Sequence, residues 1–141
     1  FKSRDEDAPP AVRRLTAVAP GAAAADLRRA DAVAEAVNAA RELVETPANH
    51  LTPTILAERA RELADGVPGL SCTVLGRSRL ERLGAGCLLG VARGSDEPPR
   101  MIVMRYRPAE VARPGEVLGL VGKAVTFDTG GISIKPSSGM E

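Results

Sequence analysis

The segment VLGLVGKAVTFDTGGISIKP, residues 117–136, places an apolar strand directly against a polar, glycine-bearing loop. Its first six residues, VLGLVG, show none of the polar alternation of a strand with one wet face, so they read as a strand covered on both sides. Lys123 follows at once, and ligands in open α/β sheets gather beyond the carboxyl ends of strands. Asp128 comes five residues later, and the Thr-Gly-Gly after it lets the backbone approach a neighbour closely.

Upstream segments carry the same pattern. LSCTVLG at 70–76, the apolar run CLLGVA at 87–92 and RMIVMRY at 100–106 alternate with helical stretches, one of them beginning near Ser78 with Leu80 and Leu83. GSDEPP at 94–99 and RPGE at 113–116 are turn clusters. Apolar runs separated by helices imply an α/β fold, a mostly parallel sheet with flanking helices. Before it, Leu27, Ala30, Val33, Val37, Ala40 and Val44 recur at three- and four-residue steps, which predicts one long helix from about Ala22 to Glu45. Pro47 stops it at Thr46. Thr52-Pro53 predicts the N-cap and first turn of a second helix through Ile55, Leu56, Arg59 and Leu63.

Composition removes several function classes. The net charge is +1 with acidic and basic residues interspersed, and the aromatics are Phe1, Tyr106 and Phe127 alone, so nucleic-acid binding has neither a basic footprint nor stacking platforms. No run reaches the apolar length of a membrane span. Cys72 and Cys87 form no CxxC pair and read as small core residues. His50, the single histidine, has no second ligand at metal spacing and reads as a loop residue. The loop at Lys123 lacks G-x-x-x-x-G-K-[ST], and Gly130-Gly131 does not make G-x-G-x-x-G, which argues against a nucleotide site.

The lysines are distributed unevenly. Of nineteen basic residues three are lysine, and two of these, Lys123 and Lys135, lie in the 117–136 segment. Arginine keeps its charge under ordinary conditions, whereas a lysine amine can lose its proton and offer a lone pair.

The string VGKAVTFDTGGISIKPSSGM resembles the metal-binding signature of the leucyl aminopeptidases, the two-metal exopeptidases of the cytosol. TPANHLTP at 46–53 and LLGVARGSDEPPRMIVMRYRP at 88–108 are similar to further segments of that family, in the same order, so the resemblance runs from about Leu27 to the end. It implies that Lys123 binds one of two divalent metal ions, Zn or Mn, through its neutral amine and that Asp128 bridges toward both. It also implies that Lys135 stays charged and faces the scissile carbonyl as the catalytic cation. Ala124 departs from the glycine common in the motif.

The implied activity is metal-dependent release of N-terminal, leucine-type residues from peptides with a free N-terminus, by a cytoplasmic homo-hexamer. The alternative is a non-catalytic structural or binding homologue. The resemblance divides the chain into the tail of a preceding domain (1–21), an interdomain linker helix (22–46) and the N-terminal part of a metallopeptidase catalytic domain (47–141). A chain opening at Phe1 and closing just after the motif is expected to be a piece of a longer protein, inactive alone because further ligands are missing.

Overall fold

The computed structural model describes Arg14, Thr16, Val18, Gly21 and residues 24–110 and 115–128. The chain divides into two compact units, Phe1–Pro47 and Ala48–Glu141.

In the first unit, helix α1 spans Ala24–Glu45, 22 residues. Asp26 lies in its first turn, where a carboxylate complements the positive end of the helix dipole. Its end is closed by Thr46, whose N–H (3.0 Å) and Oγ1 (2.6 Å) both donate to the Glu42 carbonyl, just ahead of Pro47. The apolar stripe read from the sequence is present, yet no residue of α1 is buried, and Leu27, Val33, Val37 and Val44 are all exposed.

The second unit begins with a turn at 48–50 and helix α2, Pro53–Gly66. Thr52 caps it: the Oγ1 accepts from the Ile55 N–H at 3.3 Å, and Pro53 occupies the first turn, where a missing N–H costs nothing. Strand β1, Leu70–Leu75, follows, then short helices α3 (Arg77–Arg82) and α4 (Gly86–Val91), a 3-10 turn over Ala92–Gly94, and strand β2, Met101–Tyr106. α2 lies against both strands. The buried apolar residues are Leu51, Ala57, Ala64, Leu75 and Leu80.

The α/β class holds, and the one strand pair among the described residues is antiparallel. β1 and β2 pair antiparallel, with Leu70 opposite Tyr106 and Leu75 opposite Met101, where a mostly parallel sheet was expected. The connection between the strands carries α3 and α4, six residues each, separated by Gly84 at φ +67°. β1 itself alternates, with Ser71 and Thr73 exposed between half-buried Leu70, Cys72 and Val74, as one face of an antiparallel pair does.

Two apolar runs also differ from expectation. CLLGVA at 87–92 is helical, as α4 and the start of the 3-10 turn. VLGLVG at 117–122 forms no ladder with any described residue, and Val117, Leu118, Leu120 and Val121 are exposed. The sheet among the described residues therefore has two strands.

The β1–β2 pair is locked at one end. Gly69 adopts φ +83°, its carbonyl accepts from the Arg107 N–H at 2.8 Å, and a Cβ built on it would stand 2.4 Å from the Arg107 carbonyl oxygen. Only glycine fits there without displacement. Among the described residues, no helix is long and apolar enough to cross a membrane.

Candidate metal-binding loop

After the turn at Gly115 the backbone of 116–122 joins no ladder among the described residues, and Lys123 beyond it is exposed. The chain then changes direction twice. The Lys123 carbonyl accepts from the Val125 N–H at 2.9 Å, closing a three-residue turn centred on Ala124, and a bend follows at the half-buried Thr126. Phe127 and Asp128 are again exposed. Five fully extended residues span up to about 17 Å. The turn and the bend shorten that path, which two donors approaching one ion require.

Lys123 and Asp128 are both exposed, in the loop after the apolar run. Lys135 lies outside the described residues. His50 is exposed in the turn at 48–50. Cys72 is half-buried and Cys87 exposed, and both thiols are free.

Chemically, an amine nitrogen and a carboxylate oxygen suit the borderline ions Zn and Mn. Two donors do not complete a four-coordinate shell. Among the described residues no group of three or more His, Cys, Asp or Glu side chains is placed to hold a metal ion. Lys123 and Asp128 therefore fit part of a metal shell and not the whole of one. A shallow apolar groove of about 270 Å³ on α1, lined by Val37, Ala40, Arg41, Val44 and Glu45, has no polar convergence of the kind a catalytic cleft presents.

Comparison with known proteins supplies the context that this loop lacks. Residues 38–141 match the family described as the cytosol aminopeptidase family, catalytic domain. A probable cytosol aminopeptidase of Solibacter usitatus is 59% identical over 109 residues, covering 77% of this chain and 22% of its own length. A probable cytosol aminopeptidase of Gloeobacter violaceus is 46% identical over 127 residues, covering 90% of this chain and 25% of the relative. A third, from Acidovorax sp. strain JS42, is 47% identical over 135 residues, covering 94% and 27%. The chain spans about a quarter of the length of the curated relatives it matches.

Proposed function

The chain belongs to the cytosol aminopeptidase family, and from that premise we propose that the whole protein is a metal-dependent aminopeptidase releasing N-terminal, leucine-type residues from peptides. The observation that carries this reading is the family match over 38–141, a span that contains Lys123, Asp128 and Lys135 in one motif.

Each of the three side chains has a distinct task. Lys123 offers a lone pair only as the free amine, so binding a metal through it releases a proton. Asp128 supplies the hard oxygen donor and partly offsets the charge of the ions. Lys135 keeps its ammonium and is directed to the carbonyl oxygen of the scissile bond, where negative charge grows as water adds. A pair of divalent ions, Zn or Mn, supplies Lewis-acid polarisation and a nucleophilic water at neutral pH when bound. Preference for the amino end follows if the substrate's free amine is held beside the donors, since an internal peptide bond has no such group to offer.

Lys123 and Asp128 by themselves do not complete a four-coordinate shell, so the activity is proposed for the complete protein and not for the 141-residue chain alone. The complete protein is read as a cytoplasmic homo-hexamer acting on peptides with a free N-terminus. Release of leucine from leucyl amide by the complete protein tests the proposal. Activity lost to a chelator and restored by Mn²⁺ or Zn²⁺ supports it, and no metal-dependent release under any loading overturns it.

A further inference from the structure

The turn inside the candidate loop assigns a role to a residue with no reactive group. The bond from the Val125 N–H to the Lys123 carbonyl, 2.9 Å, closes a γ-turn with Ala124 at its centre. Such a turn has two forms: the inverse form, with the central φ near −75°, and a strained form with φ near +75°. No non-glycine residue among the described ones has positive φ, so Ala124 holds the inverse form. That form is common at the start of loops, and Ala124 opens the loop that follows the apolar 117–122 run.

We propose that Ala124 is a positioning residue for the Lys123–Asp128 donor pair, its Cβ confining the turn to the one form that brings the chain round between them. Glycine at 124 would populate both signs of φ about equally and send the following residues along different paths. Alanine removes those alternatives from the metal-free loop, so less ordering is left to occur when an ion binds. This inference rests on the reading of Lys123 and Asp128 as metal donors.

The test is titration of Mn²⁺ into the complete, metal-stripped protein by calorimetry, for wild type, A124G, A124S and K123R. Serine restores the Cβ and its restriction on φ, so A124S keeps wild-type affinity while A124G binds about two- to fivefold more weakly. A124G indistinguishable from wild type overturns the proposal, as does A124S weakened to the same extent as A124G. K123R that still binds two ions with wild-type affinity overturns the donor reading itself and the positioning role with it. If K123R loses an ion while A124G is unchanged, the donor reading stands and the positioning role alone fails.

Discussion

Replacing Gly69 by alanine should loosen the β1–β2 pair more than any other glycine substitution among the described residues of the second unit. Two costs combine. At φ +83° an L-residue with a Cβ is strained by about 1–2 kcal/mol. The new Cβ also meets the Arg107 carbonyl oxygen at 2.4 Å, so the strand end must move, and the bond from the Arg107 N–H to the Gly69 carbonyl is stretched or lost, at about 0.5–1.5 kcal/mol. Together they give about 1.5–3.5 kcal/mol. Gly84 separates the two costs: it has φ +67° but nothing within 4 Å of an added Cβ, so G84A should show the conformational cost alone. Amide hydrogen exchange of β1 and β2 in the complete protein reads the result, because local opening free energies are measured strand by strand. Protection in G69A should fall by about tenfold to a few hundredfold. If G69A and G84A behave alike at their own sites, the close approach of Arg107 is not what demands glycine, and the reasoning fails.

The cap and the core give two further expectations. Thr52→Ala removes the acceptor for the Ile55 N–H and should destabilise α2 by about 1 kcal/mol, read as faster exchange in its first turn, while T52S should be close to wild type. Leu80 is 0% exposed, so Leu80→Ala should cost about 2–5 kcal/mol in chemical denaturation, against a change within about 0.5 kcal/mol for the exposed Leu83→Ala.

Local chemistry was legible wherever one residue type settles a backbone choice. Thr52-Pro53 marks the start of α2 because the cap and the missing N–H act within one turn. The three- and four-residue spacing marks α1, although periodicity says only that a face is apolar, not that it is covered, and the described face is exposed. The antiparallel pairing of β1 with β2 was partly legible: Ser71 and Thr73 alternate with apolar neighbours in LSCTVL, the signature of a strand with one wet face. CLLGVA carries no period that separates a buried strand from a helical turn, and the short loops around it favour the helix. VLGLVG is the converse, a strand-like run that joins no ladder among the described residues.

The candidate site was legible as a motif and not as a constellation. Lys123 and Asp128 are positioned by one loop, and their residue types alone indicate a nitrogen and an oxygen donor. The turn at Ala124 was not visible in the sequence, since a single backbone hydrogen bond leaves no compositional trace and alanine suits many conformations.

The most direct measurement is the metal content of the complete protein and of its Lys123→Arg variant after identical loading with Mn²⁺ and removal of free ions. A guanidinium has no lone pair to give, so the wild type should retain two ions per chain and the variant fewer than two. Two tightly held ions in the variant would show that Lys123 is not a ligand and would contradict the account of the loop.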